Sequence, residues 1–379
     1  MLGRLHFIWF CHQPFFIPDE EVAWRVDATY VPLIDAFVER DLPFSLGLTG
    51  GLLERIAGLR PEFIAWLRTL LEEEKLSLIG SAYQHPLLPD LESRWAEAHL
   101  DEDLRVRREL ALPSRAVLWP TELAWAMPVG SLAAGRGYDA VVVDGSCRDA
   151  ADTAPTWAQA EGRLRRRRLA PQRGARPSRL TLRLEEGRSI ELLVRERELS
   201  NALLDAVRGE ERDERAQLQD FLGALRRVQA NGASPQGPLL IGEDSERLLP
   251  DGLPALLDLL DGLQREGVDF CGLARFRAEA AARPIDYVPA GTMEEDLDLW
   301  EGNLDDRWFR AQLHRSAAEM TACLDPAAPR DAVERHWRDR MLALQDSGFY
   351  FWPYVSRSRR PFFDGLQEVD AWLRTRGRQ

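Results

Sequence analysis

Short apolar runs alternate with amphipathic helical stretches over roughly the first 285 residues, and this alternation is the strongest constraint on the fold. Amphipathic stretches such as 61–74, 91–110, 213–230 and 253–265 separate the runs. Such alternation is typical of βα units that build a parallel sheet. Because polar residues gather just after the runs, the pattern favours a closed barrel over an open sheet. The predicted strands are residues 5–11, 44–48, 76–80, 116–119, 140–144, 238–242 and 268–272.

Two regions depart from this alternation. Residues 180–184 and 189–194 alternate apolar and polar side chains around a turn at 185–188, which predicts an antiparallel hairpin inside an insertion around 160–195. The second strand of this hairpin is a candidate to continue into the barrel wall before residue 195. Beyond about residue 286 only helical patterns remain, at 308–323, 327–345 and 363–375. We therefore predict an α/β chain with a (β/α) barrel over residues 1–285 and a C-terminal helical subdomain over 286–379 packed on it.

The composition distinguishes between soluble, nucleic-acid-binding and membrane proteins. The 379 residues are 45% hydrophobic and 29% charged, with a net charge of −13, which predicts a soluble globular protein and argues against nucleic acid as a partner. The arginine-rich stretch 163–179 is interpreted as a solvated loop, with a polyanion-binding patch as the alternative, because the acidic remainder of the chain would repel a phosphate backbone. No apolar run reaches the ~20 residues needed to cross a bilayer, so we expect no membrane partner. The first ten residues are read as a core strand and not as a signal peptide.

The cysteines and the absence of nucleotide-binding motifs in the sequence bear on the cellular compartment and on cofactors. Cys11, Cys147, Cys271 and Cys323 show neither paired nor metal-binding spacing, which predicts reduced thiols and a cytoplasmic location. The chain carries no phosphate loop and no dinucleotide fingerprint. We therefore predict neither a cofactor nor a metal.

The segment 119–125, with the sequence WPTELAW, places Glu122 directly after an apolar run. Trp119 and Trp125 flank this carboxylate, and Pro120 restricts the backbone before it. Barrel enzymes keep their catalytic groups at the C-terminal ends of strands, and indole faces are suitable platforms for sugar rings. The structural alternative is a glutamate that caps a helix starting near Pro128.

Further polar groups follow other predicted strands. His12 and Gln13 come after the first, His85 after the third, and the acidic cluster 243–246 after the sixth. Each alone could be a turn or a helix cap, but together they predict one site at the barrel mouth. Carboxylates on two different strands, here Glu122 and Asp244, are the minimum that glycoside cleavage requires.

These residues resemble glycoside hydrolase family 57, whose retaining α-glucan enzymes have an incomplete seven-stranded (β/α) barrel followed by a helical region. Residues 12–14, 78–86, 119–125 and 244–246 look like the first four motifs of the family, in the same order. The resemblance implies that Glu122 is the nucleophile and Asp244 the general acid/base. It also implies an α-linked oligosaccharide or polysaccharide as substrate, with the Thr-Glu pair closest to the 4-α-glucanotransferase group.

The sequence departs from the family pattern at three places. Phe10 stands where the first motif usually carries a histidine, and Arg247 and Leu248 replace an aromatic residue and a glycine after the fourth. In the fifth motif either Asp346 is shifted or Gly348 takes its place. The expected substrate-binding residues are His12, Gln13, His85, Trp119, Trp125, Glu246, Trp300, Asp346 and Trp352.

Three alternatives remain at this point. One is a carbohydrate-binding or regulatory homologue that has lost turnover, which the altered fifth motif favours. Another is an α-galactosidase-like member of the family, which the short chain favours. The third is a metal-dependent carbohydrate deacetylase, which needs two neighbouring histidines and an aspartate. His12 and His85 follow different strands, which argues against a metal. An oligomer is compatible with every alternative.

Overall fold

The computed structural model describes residues 2–113, 116–153, 157–160, 163–166, 176–208, 214–231, 237–248, 250–293, 304–348 and 359–376. In these ranges, no helix combines the length and apolar character that crossing a membrane requires. The strands are β1 Arg4–Cys11, β2 Phe44–Leu48, β3 Leu76–Ile79, β4 Val117–Leu118, β5 Ala140–Asp144, β6 Trp157–Ala160, β7 Arg163–Arg166, β8 Arg179–Arg183, β9 Ser189–Arg195, β10 Leu239–Asp244, β11 Asp269–Phe270 and β12 Ala282–Ile285.

Seven of the strands in the described part of the chain close into a parallel barrel, in the order β1-β2-β3-β4-β5-β9-β10 and back to β1. The joint between β3 and β4 uses Gly80, whose amide donates to the Val117 carbonyl and whose carbonyl accepts from the Trp119 amide, both at 2.8 Å. The predicted barrel class is therefore confirmed. All seven strands end at one mouth, because they are parallel.

Six of the seven predicted strands belong to the barrel, and the seventh barrel strand is a different one. The run 268–272 contributes only β11, which pairs with Arg4 and Leu5 at the start of β1. The seventh barrel strand is instead β9, which pairs antiparallel with β8 and parallel with both β5 and β10. Leu192, Leu193 and Val194 are all buried, as expected for a strand covered on both faces. The second strand of the predicted hairpin thus continues into the barrel wall.

The helices surround the barrel and continue beyond it. They are α1 Asp19–Arg25, α2 Val31–Val38, α3 Gly50–Leu59, α4 Pro61–Glu72, α5 Ser93–Glu109, α6 Met127–Gly135, α7 Gly145–Thr153, α8 Arg197–Arg208, α9 Glu214–Ala230, α10 Leu253–Arg265, α11 Leu273–Glu279, α12 Leu304–Cys323, α13 Ala332–Leu344 and α14 Arg360–Arg376. A π-helix, Val26–Tyr30, joins α1 to α2. Both α12 and α13 pack against α14. The division into two domains at residue 285 stays a prediction.

The interior of the barrel is apolar and follows the two-residue period of its strands. Ile8 and Phe10 of β1, Val142 of β5, Leu193 of β9 and Leu240 of β10 belong to one buried cluster inside the ring. Their sequence neighbours belong to the clusters that pack against the helices. The same period, continued to the strand ends, assigns residues 12, 144, 195 and 244 to the inward-facing positions at the mouth.

Part of the arginine-rich stretch is a strand and not a loop. Residues Arg163–Arg166 form β7, which pairs antiparallel with β6 in a separate two-stranded sheet. The expectation of a loop is therefore wrong for this segment.

Candidate active site

Glu122 lies in a strained turn at the end of β4. Its φ is +55° and that of Leu123 is +49°, so two consecutive residues with side chains adopt left-handed backbone. Each such residue costs of order 1 kcal/mol or more, and such strain concentrates at functional sites. The turn is held by hydrogen bonds from the Leu123 amide to the Pro120 carbonyl (2.9 Å) and from the Met293 amide to the Glu122 carbonyl (2.9 Å). The fold thus enforces this position of the carboxylate.

His12, which follows β1, is fixed through both ring nitrogens. Its Nδ1 lies 3.2 Å from the Thr49 hydroxyl, and its Nε2 lies 3.0 Å from Asp346 Oδ2. With a proton on Nε2, the ring donates to Asp346 and accepts from Thr49. These contacts hold a ring that is 8% exposed in one orientation at the mouth.

His85 stacks on His12 and lies close to Glu122. The two imidazole centroids are 4.2 Å apart with 8° between the ring planes. On its other side, His85 lies 5.7 Å from the Phe10 ring, which in turn stacks on Trp119 at 5.5 Å. His85 Nδ1 lies 2.9 Å from the Ser347 hydroxyl and 3.9 Å from Glu122 Oε1. Four rings therefore form a column from the mouth into the barrel.

The His85 imidazole is neutral in this environment. Its pKa is well below the usual value of 6.5, first because the ring is buried and second because His12 lies beside it. Its contact with Glu122 is consequently a dipole contact and not an ion pair. A neutral ring can still exchange hydrogen bonds with the hydroxyl groups of a ligand.

A short segment before the C-terminal helix completes the site. Asp346 is buried and accepts the Gly348 amide at 2.7 Å with Oδ1, while Oδ2 contacts His12. The Ser347 amide donates to the His85 carbonyl at 2.7 Å, and Gln345 Oε1 lies 2.9 Å from His99 Nε2. Asp346, and not Gly348, is thus the residue of the altered fifth motif that reaches the site.

His12, His85 and Asp346 also form a group whose ligand-type atoms all lie within 4.8 Å of one another. A zinc ion bound by two imidazoles lies about 2.0–2.1 Å from each nitrogen, near the plane of each ring. Nearly parallel rings stacked at 4.2 Å have planes that do not meet near the nitrogens. This arrangement fits stacking and hydrogen bonding, and does not fit joint ligation of one ion.

The acidic cluster at the end of β10 contains three carboxylates in different environments. Glu243 is buried and paired with Arg195, whose Nη1 also lies 2.9 Å from Asp144 Oδ2 and whose Nε donates to the Gly242 carbonyl at 2.6 Å. Burial raises the pKa of Glu243 against the opposing effect of Arg195. Asp244 follows, with its side chain 18% exposed. The ion pairs of Arg195 with Asp144 and Glu243 tie β5, β9 and β10 together at the residue that precedes Asp244.

Glu246 was expected to bind substrate, but its carboxylate is held by hydrogen bonds from neighbouring residues. Its Oε1 accepts from the Tyr30 hydroxyl at 2.7 Å, the Gln13 amide nitrogen at 3.2 Å and the His12 backbone amide at 3.0 Å. Burial, followed by the charge of Asp244, raises the pKa of Glu246. Gln13 and Glu246 therefore connect the loop after β1 to the end of β10.

Two of the expected sugar platforms are core residues. Trp119 is fully buried inside the barrel, so close to β10 that a Cβ at Gly242 would lie 2.8 Å from its ring. Trp125 is also fully buried, with its Nε1 donating to the Val288 carbonyl at 3.2 Å. Their expected stacking on sugar is wrong in this structure, because both rings fill the core on either side of the Glu122 turn. Trp300 and Trp352 lie outside the described residues.

Several residues at the site were missed by the sequence analysis. Thr49 and Ser347 orient the two histidines, Tyr30 holds Glu246, and Arg195 with Asp144 supports β10. The sequence does contain a signal for the pair of Arg195 and Asp144. Extending the inward period of β5 and β9 to the strand ends reaches Asp144 and Arg195, and oppositely charged residues at such positions predict a buried ion pair.

The family model described as glycosyl hydrolase family 57 matches residues 6–250. No curated protein matches the sequence significantly. The fold is similar to a branching enzyme from Thermococcus kodakaraensis, with TM-score 0.72 and 14% identity over 97% of this chain and 90% of that one.

Two further solved structures share the fold. The α-amylase AmyC from Thermotoga maritima has TM-score 0.69 and 12% identity, over 99% of this chain and 92% of that one. The 4-α-glucanotransferase from Thermococcus litoralis has TM-score 0.67 and 15% identity, over 92% of this chain and 56% of that one. The family model covers well over half of the sequence and confirms the resemblance of the motifs. This chain belongs to glycosyl hydrolase family 57.

Proposed function

We propose that the chain is a retaining glycoside hydrolase or transglycosylase that acts on α-linked glucans, of the amylase or 4-α-glucanotransferase type. The observation that carries the proposal is the placement of Glu122 and Asp244 at one barrel mouth. Glu122 follows β4 and Asp244 ends β10, three strands apart around the ring. The amylase, branching and glucanotransferase activities named for the similar structures support an α-glucan as substrate.

In the proposed reaction, Glu122 attacks the anomeric carbon and forms a covalent glycosyl-enzyme. Asp244 protonates the departing glycosidic oxygen, and then removes a proton from water or from an acceptor hydroxyl. Two inversions at the anomeric carbon give net retention. This chemistry requires the two carboxyl groups to come within roughly 5–5.5 Å when substrate is bound.

The neighbouring residues orient the substrate and the nucleophile. The strained turn presents the Glu122 carboxylate, and the stacked pair of His12 and His85 forms one wall beside it. Asp346 holds His12 in place. A wall that is largely buried and made of neutral or paired rings excludes water from the nucleophile while it offers hydrogen bonds to sugar hydroxyls.

The test is turnover of maltooligosaccharides and of an aryl α-galactoside, with products followed by chromatography. Glu122→Gln should abolish turnover and keep ligand binding. On an aryl glycoside, Asp244→Asn should retain part of the first step, since an activated leaving group needs little protonation. Added azide should then rescue Asp244→Asn and give a product of retained configuration. Wild-type-like activity of Glu122→Gln would end the proposal, and turnover of the galactoside alone would reassign the substrate.

The alternative functions predict different results. A carbohydrate-binding homologue would bind maltooligosaccharide without any product. The position of Asp346 weakens that alternative, because the altered fifth motif was its main support. A metal-dependent deacetylase would carry one tightly bound metal equivalent per chain, which elemental analysis of the purified protein would detect.

We also propose a cytoplasmic location. Cys11, Cys147 and Cys271 are buried free thiols, and Cys323 is an exposed free thiol. Exposed free thiols persist in a reducing compartment. Fractionation of cells that express the natural protein would test this, and recovery outside the cytoplasm would contradict it. The oligomeric state is left to measurement.

A further inference from the structure

Arg247 lies beside the proposed acid/base in an arrangement that the reaction scheme above does not use. Its Nε is 3.8 Å from Asp244 Oδ2, and its Nη1 is 4.0 Å from Glu243 Oε2. Its side chain is 30% exposed. The guanidinium is therefore within ion-pairing distance of two neighbouring carboxylates on the same strand end.

The two carboxylates differ in how much they depend on this cation. Glu243 already has a full charge partner in Arg195, which lies on β9 and is itself buried. Asp244 is the more exposed carboxylate of the pair, with 18% of its side chain accessible against 0% for Glu243. Removal of the positive charge at residue 247 therefore acts more strongly on Asp244 than on Glu243.

Other titratable groups near Asp244 lie on several elements of the part of the chain that the structure describes. Glu243 and Glu246 lie on the same strand end, Cys11 and His12 on β1 and just after it, and Tyr30 on the π-helix. Burial raises the pKa of the Cys11 thiol and of the Tyr30 hydroxyl well above their usual values, so both are neutral. Among the described neighbours, Glu243 and Glu246 favour protonation of Asp244, and Arg247 opposes it.

We propose that Arg247 is a positioning residue that tunes the proton affinity of Asp244 and so sets the alkaline limit of the reaction. The inference rests on the proposed function, in which Asp244 must be protonated for the first step. A cation within about 4–6 Å of a carboxyl group favours its charged form. Arg247 therefore moves the loss of general-acid activity to lower pH, and its removal moves it to higher pH.

The test compares Arg247→Met and Arg247→Gln, which lose the charge, with Arg247→Lys, which keeps it. The pH dependence of kcat/KM is measured on a maltooligosaccharide, whose leaving group needs protonation. The descending limb should move up by about one pH unit in the two neutral variants, the lower end of the range for such pairs because the site is part exposed. Arg247→Lys should stay near the wild type. Arg227→Met, which removes an exposed arginine paired with Glu198, is the control for total charge.

A second readout does not depend on turnover. The carboxyl group of Asp244 is titrated by ¹³C NMR, with its resonance assigned by its loss in Asp244→Asn. The same upward shift is expected in both neutral variants. An unmoved Asp244 titration in folded neutral variants would overturn the inference, whereas a shifted titration in a chain without α-glucan activity would overturn only the proposed function.

Should the neutral variants fail to fold, the wild type itself remains a test. Salt at about 0.5 M screens the ion pair between the part-exposed Arg247 and Asp244. In the NMR titration, the pKa of Asp244 should therefore rise with salt relative to the exposed carboxyl groups of the chain, which respond alike to screening of the net charge of −13. No rise would overturn the inference.

Discussion

The strained turn at Glu122 predicts an inverted order of stability for two small substitutions. We compare Glu122→Gly with Glu122→Ala, which both remove the carboxylate and differ by a single Cβ atom. At an ordinary position alanine is more stable by about 0.4–1 kcal/mol, since glycine leaves the unfolded chain more freedom. At the observed φ of +55° a Cβ costs roughly 1–2 kcal/mol. Glycine should therefore be the more stable of the two, by about 0.5–1 kcal/mol.

Chemical denaturation is the appropriate assay. Unfolding entropy of about 2.1 cal/mol/K per residue over 379 residues means that 1 kcal/mol moves the melting temperature by only about 1 °C. Midpoints in urea at equal m-values resolve such differences better. Both variants should lack turnover, because neither supplies a nucleophile.

The matched control is the same pair of substitutions at Glu97, inside α5. There the backbone is helical and alanine should be more stable than glycine by about 1 kcal/mol. If alanine is favoured equally at residues 122 and 97, the turn stores no backbone strain, and the argument that the fold enforces the position of Glu122 fails.

Three further outcomes follow from the buried groups. His6, held between the Cys271 carbonyl and the Ser45 hydroxyl, has its pKa lowered from 6.5 to about 4 by burial. The unfolded chain thus binds the proton first, and stability falls as pH drops through 6.5. Between pH 8 and 5, the wild type should lose about 2 kcal/mol more unfolding free energy than His6→Gln. Arg195→Met should lose about 3–5 kcal/mol in urea unfolding, because it strands two buried carboxylates; a neutral result would contradict the ion-pair assignment. Asp346→Asn should lower kcat/KM about 100-fold through misplacement of His12, with little change in melting temperature; unchanged kinetics would exclude that role.

The residues that follow directly on strands could be predicted from the sequence. Parallel strands bring their C-terminal ends to one mouth, so His12, Asp244 and Glu122 were placed by the strand pattern alone. The pattern predicted the hairpin of β8 and β9 and left open that β9 enters the barrel wall, but it also counted the run 268–272 as a barrel strand. It also misread Trp119 and Trp125, since an indole beside a catalytic carboxylate can face either the cleft or the core, and only three-dimensional packing decides.

Contacts between residues far apart in the sequence also limit what can be predicted of the site. Asp346 and His12 are 334 positions apart in the sequence, and no local pattern joins them. The substituted fifth motif left the register open between Asp346 and Gly348. The contact with His12 and the turn bond from the Gly348 amide resolve it in favour of Asp346.

The completion of the site by residues 345–348 has a consequence for how the enzyme matures. Synthesis runs from the N-terminus, at roughly 5–20 residues per second, so both proposed catalytic carboxylates leave the ribosome well before Asp346 does. Until Asp346 and Ser347 dock on the histidines, the ring column at the mouth has no anchor on that side. A nascent or C-terminally clipped chain can therefore hold a nearly complete barrel while its two histidines still lack the contacts that Asp346 and Ser347 provide.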